Sequence, residues 1–263
     1  MAISCSNHPN PKPFCVVLVN AAKVISFNFT KFSKNSPSIT LQGNSKILGD
    51  GVLALTSSEN PVSNTGRVLY ATPVTIWEKA IGNNASFVTS FSFVVEDAEG
   101  DYNPADEIIF FTPNFPTTRD SSGRFLGVVN GSNAFNQFVG VEFDTYTNEW
   151  DPDSAHVGID DVNSLISLKT VKWNRVSGSL VRVSIIYDSL FKTLSIFVTN
   201  KNGRITTVSQ VVDLKAVLPE KVRVGLSATT TGGGVEAHDI YLWSFTSNLE
   251  TTTSSTMNIA RYA

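Results

Sequence analysis

The amino-acid sequence predicts an all-β protein, an antiparallel sandwich formed by a single domain. Apolar and polar residues alternate at a period of two in many segments, which is typical of strands that bury one face. Clusters rich in Asn, Gly, Ser and Thr separate these segments, and only residues 213–217 have the pattern of a single helical turn. Many strands without intervening helices favour antiparallel sheets that stack on each other.

The predicted strands can be followed along the chain. Alternation is clearest at residues 87–95, 181–187, 194–199, 221–226 and 241–245. Turn-forming clusters lie at residues 114–123, 200–203 and 229–234. Neither an internal repeat nor a change of composition interrupts residues 23–249, so this span is predicted to be one domain. Residues 250–263 are polar and are predicted to form a flexible C-terminal tail.

Composition narrows the possible functions. The chain has 263 residues, 41% of them hydrophobic and 16% charged, which is enough for one packed all-β core. The net charge is −3 and no stripe of Lys and Arg is present, which argues against a nucleic-acid partner. No segment has the long uninterrupted apolar run of a membrane span. Cys5 and Cys15 both precede the predicted domain, which therefore has no disulfide framework.

The N-terminus has a weak targeting pattern. Residues 14–19 form a short apolar core that is followed by Asn-Ala-Ala, so residues 1–22 are predicted to be a weak or shortened secretory leader. The protein is then expected to be secreted or vacuolar, and the alternative is a disordered tail on a cytoplasmic protein. Asn-x-Ser/Thr sequons begin at Asn28, Asn84 and Asn130, and they matter only in a secreted chain.

The most informative segment reads VEFDTYTNEWDP at residues 141–152, followed by HVGID at 156–160. Strand residues two apart share a face, and the Asn, Asp and Pro that follow favour a turn. Hard oxygen donors suit Ca²⁺, whereas carboxylates with one imidazole suit Mn²⁺ or a similar transition ion. The segment is therefore predicted to be a metal site, and the alternative is a charged strand edge with a solvated histidine. The candidate ligands are Glu142, Asp144, Tyr146, Asn148, Asp151 and His156.

Three further segments have weaker patterns. Residues 104–111 place acidic side chains directly before an apolar strand, and residues 121–127 form a flexible loop before another strand. Residues 227–234 end in three glycines, which expose backbone N–H groups without side chains in the way. Taken singly, each segment is also explained by an ordinary turn or strand entry.

Taken together, these segments resemble the legume lectin family of plant lectins from about residue 24 to residue 249. The matching motifs, in chain order, are SFNFT (26–30), AD (105–106), FF (110–111), FLG (125–127), VEFDT (141–145), WDP (150–152), HVGID (156–160), LPE (218–220), VRVG (222–225) and WSF (243–245). The resemblance implies a flattened, concanavalin-like jelly-roll sandwich that binds glycans without catalysis. It also implies a homodimer or homotetramer and a role in plant defence.

The resemblance further implies two bound ions, one calcium and one transition ion that is usually manganese. Manganese would be held by Glu142, Asp144, Asp151 and His156. Calcium would be held by Asp144, the backbone carbonyl of Tyr146, Asn148 and Asp151.

A carbohydrate site is implied beside the calcium. An ionised Asp106 would accept sugar hydroxyl protons, and Tyr146 would offer an aromatic face to the apolar side of a pyranose. The glycine loop would supply backbone donors, and its short length favours a mannose/glucose-type sugar. The implied carbohydrate-binding residues are Asp106, Arg124, Tyr146, Asn148, Gly232, Gly233 and Gly234.

Two positions depart from the family's pattern, since Arg124 and Glu107 each stand where a glycine is usual. Glu107 would strain the loop if that position required a positive φ. The alternative function is therefore a sugar-binding-deficient, lectin-like defence, storage or inhibitor protein. A glycoside hydrolase is disfavoured: Glu142 and Asp144 match two acids of a Glu-x-Asp-x-Glu motif, but Tyr146 takes the third position, so no enzyme is predicted.

Overall fold

The computed structural model describes residues 2–6, 14–56, 64–80, 82–98, 107–112, 123–128, 138–161, 167–230 and 235–258. Within these ranges the chain is almost entirely antiparallel β-structure, which confirms the predicted fold class. The one α-helix there is α1 (Leu214–Val217), a single turn, and Gly123–Phe125 forms one 3-10 turn. None of the described helices is long and apolar enough to cross a membrane.

Nine strands form the back sheet, in which β18 lies between β2 and β8. These strands are β1 (Ala2–Ser6), β2 (Phe14–Phe29), β4 (Lys46–Ile47), β5 (Leu53–Ala54), β8 (Ser86–Asp97), β13 (Val181–Asp188), β14 (Thr193–Thr199), β15 (Ile205–Val211) and β18 (Glu236–Asn258). The main path of the sheet runs β1-β2-β18-β8-β13-β14-β15, with β4 and β5 paired beside β18. The strong alternation of residues 87–95 and 181–187 arises because β8 and β13 pair side by side in this sheet and direct alternate side chains into the core.

Seven strands form the front sheet in the order β12-β11-β10-β9-β17-β6-β3. They are β3 (Ile39–Gly43), β6 (Thr65–Tyr70), β9 (Glu107–Thr112), β10 (Val139–Asp144), β11 (His156–Asp161), β12 (Lys169–Lys172) and β17 (Gly225–Thr229). A small third sheet pairs β7 (Val74–Thr75) with β16 (Lys221–Val222). Every strand pair among the described residues is antiparallel, as expected of a stacked antiparallel sandwich.

The main core lies between the two large sheets and is rich in aromatic rings. Phe143 of the front sheet meets Phe93 of the back sheet edge-to-face, with ring centroids 5.2 Å apart. Trp173 closes the same group, 5.9 Å from Phe143. A smaller apolar cluster that includes Leu69, Ile109 and Phe138 is separate from this main core. The front sheet is therefore covered on both faces. Every residue of its central strand β10 is buried.

The two ends of the chain pair with each other. Strand β2 aligns with β18 along its whole length, from Phe14 opposite Asn258 to Phe29 opposite Trp243. Residues 250–258 thus continue β18 and lie beside residues 14–22. The division of the chain into a leader, a domain beginning at residue 23 and a tail beginning at residue 250 stays a prediction.

Candidate functional site

Strand β10 positions two carboxylates by simple alternation. Val141 and Phe143 point into the main core, so the residues that alternate with them project from the other face of the sheet. Those residues are Glu142 and Asp144, and both are buried all the same, at 4% and 3% exposure. The apolar residues of β10 thereby hold two acids rigidly in a place with little water.

The neighbouring strand β11 brings the imidazole to these acids. His156 lies directly opposite Asp144 in the antiparallel register and is completely buried. Its Nε2 lies 3.2 Å from Glu142 Oε1, and one potential ligand atom from each of the three side chains lies within 4.8 Å of the others. We call Glu142, Asp144 and His156 the carboxylate–histidine cluster. The alternative of a solvated histidine on a strand edge is wrong, because His156 has no exposure.

The turn after β10 brings two more predicted ligands towards the cluster. Asp151 Oδ1 lies 4.0 Å from His156 Nε2, and Asp151 Oδ2 accepts a 2.8 Å hydrogen bond from the backbone N–H of Asn148. Asp144 Oδ1 accepts a 2.7 Å hydrogen bond from the backbone N–H of Tyr146. Asp144 and Asp151 thus stabilise this turn without a bound ion, because their carboxylate oxygens accept hydrogen bonds from backbone N–H groups two or three residues away.

Gly158 leaves space for the cluster, a role that the sequence analysis missed. It lies directly opposite Glu142, and a Cβ at this position would meet Glu142 Oε1 at 2.2 Å and Ser167 Oγ at 2.3 Å. Side chains at residues 156, 158 and 160 share one face of β11 by alternation. The same period-two argument that picked out Glu142 and Asp144 could therefore have found Gly158 as the required gap.

Ser167 and Asp160 form a hydrogen-bonded chain with Glu142, and the sequence did not predict either of them as a site residue. The Ser167 hydroxyl lies within hydrogen-bond distance of Glu142 Oε1 and of Asp160 Oδ1, the latter at 2.8 Å. Complete burial, followed by the charge of Glu142, raises the pKa of Asp160 well above its usual range. A protonated Asp160 can donate to Ser167, which leaves the serine proton free for Glu142.

The electrostatics of the carboxylate–histidine cluster favour a cation. Burial lowers the pKa of His156, but the hydrogen bond and charge of Glu142 and the charge of Asp151 outweigh it, so the pKa is raised overall. Among the described residues, Glu142 has one ion-pair partner, which is His156. Buried carboxylates are costly unless they are paired or bind a metal. The donor set, oxygen from acids and nitrogen from one imidazole, fits a divalent ion.

A second buried polar group lies at the start of β18. We call Asp97, Arg175, Glu236 and His238 the arginine cluster. The Arg175 guanidinium contacts Asp97 Oδ1 at 2.6 Å and Glu236 Oε1 at 3.0 Å. Burial raises the pKa of Glu236 to about 8, although the charge of Arg175 acts in the opposite direction. Glu236 is therefore protonated at neutral pH.

The hydroxyl of Thr56 fixes the tautomer of His238. Thr56 donates its one proton to the backbone carbonyl of Glu236 at 2.9 Å, so it must accept from His238 Nδ1 at 2.7 Å. The imidazole proton then lies on Nδ1. Complete burial, with the charge of Arg175, lowers the pKa of His238 to about 3, which keeps the ring neutral.

The predicted carbohydrate-binding residues are only partly within the described residues. Tyr146 is 39% exposed, so its ring is accessible as a platform, and Asn148 is half-buried beside it. Asp106, Gly232, Gly233 and Gly234 lie outside the described residues, as does the side chain of Arg124. Their roles stay predictions.

The boundaries of these loops are well defined. Glu107 begins β9 opposite Asp144, and among the described residues the positive-φ positions other than glycine are Leu126 and Lys192. The strain considered for Glu107 stays a prediction, because its φ involves residue 106, which lies outside the described residues. At the glycine loop, Thr230 donates its backbone N–H to the Asn64 carbonyl at 2.8 Å.

The sandwich and the buried acid–imidazole group define a class of protein, a two-sheet β-sandwich with a candidate metal centre at the end of its central front strands. Comparison with known proteins gives the family. The profile described as "Legume lectin domain" matches residues 24–260, and the chain belongs to the legume lectin family.

Relatives at high identity cover nearly the whole chain. A bark agglutinin described from Robinia pseudoacacia is 60% identical over 259 residues, which are 95% of this chain and 94% of that protein. A protein of Arachis hypogaea named "Galactose-binding lectin" is 52% identical, over 92% of this chain and 93% of the relative. The solved structure of peanut lectin with a nine-residue peptide superposes with a TM-score of 0.82 at 52% identity, covering 87% of this chain and 99% of that one.

Membership confirms several predictions. The structural neighbours are legume lectins with the jelly-roll fold, as the resemblance implied. The relatives are non-catalytic, so the chain is a carbohydrate-binding lectin and not an enzyme. The family typically binds metal ions, in agreement with the donor set of the carboxylate–histidine cluster.

Proposed function

We propose that this lectin binds glycans only when Ca²⁺ and a transition ion, Mn²⁺ or a similar one, occupy the site at the end of β10. The observation that carries the proposal is the convergence of two buried carboxylates and a buried imidazole within 4.8 Å. Bound ions would neutralise these acids and hold the turn of residues 145–151 in one conformation.

The residues fit two ions. Mn²⁺ would take the nitrogen of His156 together with oxygens of Glu142, Asp144 and Asp151, a mixed set that suits a transition ion. Ca²⁺ would take oxygens alone, from Asp144, Asp151, Asn148 and the Tyr146 carbonyl. Asp151 and Asn148 are already joined by a hydrogen bond, so the calcium side of the site is partly organised by the protein itself.

The sugar would lie against Tyr146. This ring is accessible, and its neighbour Asn148 can donate an amide proton outward while its carbonyl oxygen faces an ion. The glycine loop on which a mannose/glucose preference was predicted lies outside the described residues, so that preference has no structural support. The galactose-binding relative from Arachis hypogaea, at 52% identity, favours terminal galactose instead. We therefore propose a galactose-type ligand, with mannose and glucose as the competing result.

A glycan array tests the proposal. The purified protein, stripped with EDTA at mildly acidic pH, is compared with the same protein reloaded with Ca²⁺ and Mn²⁺, and metal content is measured by elemental analysis. We expect both ions in the reloaded protein and binding to galactose-terminated glycans only after reloading. Binding that survives stripping would overturn the metal requirement, and a blank array with both ions bound would favour the sugar-binding-deficient alternative.

A matched pair of variants locates the requirement at the cluster. Asp144→Asn removes one charge from the carboxylate–histidine cluster and should abolish both ion uptake and glycan binding. Asp153→Asn removes the same charge from an exposed side chain of the neighbouring turn and should bind as the wild type does. Equal ion uptake by the two variants would contradict the assignment.

A further inference from the structure

Glu236 has an unusual position, because its carboxylate connects two segments that are distant in sequence. It begins β18, is completely buried, and accepts a 2.7 Å hydrogen bond at Oε2 from the hydroxyl of Thr145. Its other oxygen faces Arg175 at 3.0 Å. One buried acid therefore holds a residue that lies 91 positions earlier in the chain.

Thr145 is important because it lies between two predicted binding residues in the sequence. It follows Asp144, a member of the carboxylate–histidine cluster, and precedes Tyr146, whose carbonyl and ring are predicted to face calcium and sugar. The short hydrogen bond from the Tyr146 N–H to Asp144 Oδ1 shows that the backbone turns sharply here. A side-chain bond from Thr145 to a fixed acceptor restricts the rotation of this turn.

The acceptor itself is rigid. The backbone carbonyl of Glu236 accepts from Thr56, and the Thr56 hydroxyl in turn accepts from the backbone N–H of His238 at 3.1 Å. Arg175 ties the Glu236 carboxylate to Asp97, on the neighbouring strand β8. Rigid support of this kind determines how well residues are held in binding geometry.

Glu236 also lies close in sequence to the predicted sugar loop. It stands two residues after Gly234, and the intervening Val235 is buried, with its carbonyl accepting from the Ala98 N–H at 3.1 Å. Glu236 therefore contacts the turn after β10 and stands two residues after the glycine loop in the sequence. Both segments are predicted to contact the sugar.

We propose that Thr145 and Glu236 are positioning residues that hold the turn of residues 145–151 ready to bind calcium. The inference rests on the proposed function, because it assigns calcium to this turn. The hydrogen bond reduces the number of conformations of the ion-free turn, so less ordering remains to be done when the ion binds.

Three variants test the inference. Thr145→Val keeps the shape of the side chain but removes the hydroxyl, and Thr145→Ser restores it. The control is Thr89→Val, because the Thr89 hydroxyl also donates a hydrogen bond, to the Ser244 carbonyl at 2.8 Å, but lies in the back sheet, fully buried. Each EDTA-stripped protein is titrated with Ca²⁺ by calorimetry, and its melting temperature is recorded without ions.

The expected results separate positioning from stability. Thr145→Val should weaken Ca²⁺ binding about tenfold, whereas Thr145→Ser should bind as the wild type does. Thr89→Val should lower the melting temperature and leave Ca²⁺ affinity unchanged. If Thr145→Val lowers the melting temperature but binds Ca²⁺ normally, the Thr145 bond is merely structural and the inference is overturned.

Amide exchange in the stripped proteins distinguishes this inference from the proposed function. Residues 144–151 should exchange faster in Thr145→Val than in wild type or Thr145→Ser, with no ion or glycan present. Absence of glycan binding by the wild type would refute the proposed function, whereas the exchange comparison would still support the positioning role. Identical exchange in all proteins would refute the positioning role alone.

Discussion

Among the described residues, the carboxylate–histidine cluster and the largely buried arginine cluster both contain acids, and their charges are balanced in different ways. The arginine cluster supplies its own cation, since Arg175 contacts Asp97 and Glu236 at 2.6 and 3.0 Å. The carboxylate–histidine cluster contains neither lysine nor arginine, and His156 is its one member that can become positive. The first group contains its own cation, whereas the second is the group for which we propose a cation from solution.

The comparison separates two meanings of a buried acid. An acid paired with arginine organises the fold, and removing either partner leaves a costly unpaired charge. An acid grouped with further acids and an imidazole is arranged for a metal. The two groups are close to each other, because Thr145 contacts Glu236 and follows Asp144 in the sequence. Their different roles therefore follow from which side chains pair in each group, and not from where the groups lie. Variants in each group should therefore change different measurable quantities.

The largest expected effect comes from filling the gap beside Glu142. In Gly158→Ala the new methyl group would overlap Glu142 Oε1, which must leave its present position 3.2 Å from His156 Nε2. We expect Mn²⁺ affinity to fall about 100-fold, measured by calorimetry on stripped protein. Gly49→Ala is the control, because a Cβ there meets nothing within 4 Å. Unchanged affinity in Gly158→Ala would show that Glu142 does not bind the ion.

A smaller effect is expected from Ser167→Ala. This variant removes the hydroxyl that lies between Glu142 and Asp160, so both acids lose a hydrogen-bond partner. Mn²⁺ affinity should fall about tenfold, since groups that orient a metal ligand typically have effects of this size. Ser209→Ala, which breaks an exposed hydroxyl pair with Ser195, should bind as the wild type does. Equal affinities for these two variants would remove Ser167 from the site.

A change in the pH dependence of stability, and not in ion affinity, is expected from Glu236→Gln. Burial raises the pKa of Glu236 to about 8 in the folded protein, whereas its ordinary pKa in an unfolded chain is 4.5, so the unfolded chain releases this proton first. The free energy of unfolding of the wild type should therefore decrease as pH rises from 4.5 to about 8. Glutamine cannot titrate, so the variant should lack this decrease.

Urea denaturation of the stripped proteins at several pH values measures this difference. The groups that face Glu236 are Arg175, Asp97, His238 and Thr145. The wild type and the Glu236→Gln variant both contain all four. Protonation of His238 in the unfolded chain, which destabilises the fold as pH falls below 6.5, therefore cancels in the comparison. Curves that run parallel between pH 5 and 8 would contradict the raised pKa of Glu236.

The sequence predicted the fold and the carboxylate–histidine cluster for one physical reason. The alternation of faces along a strand depends only on neighbouring residues, so it can be seen in the sequence. This alternation places Phe143 in the core and Glu142 and Asp144 on the opposite face. His156 was predicted because a tight turn returns the chain beside the same strand, and the register places it opposite Asp144.

The arginine cluster could not be predicted in this way. Its members come from positions 97, 175, 236 and 238, and their pairing follows from the order of strands in the back sheet, not from any local pattern. The bond from Thr145 to Glu236 depends in addition on how the front sheet lies over the start of β18. Such contacts follow from the packing of the whole sandwich, which single-sequence periodicity does not determine.

Strand β10 has a consequence for how the protein tolerates heat. Its alternate residues belong to the aromatic core and to the carboxylate–histidine cluster, so no unfolded chain can retain the ion site. A ligand that binds only the native state raises the melting temperature in proportion to the logarithm of its free concentration. With the proposed ion site, the thermal tolerance of this lectin should follow the free calcium and manganese in its surroundings, so that tissue poor in either ion would hold a more easily denatured protein.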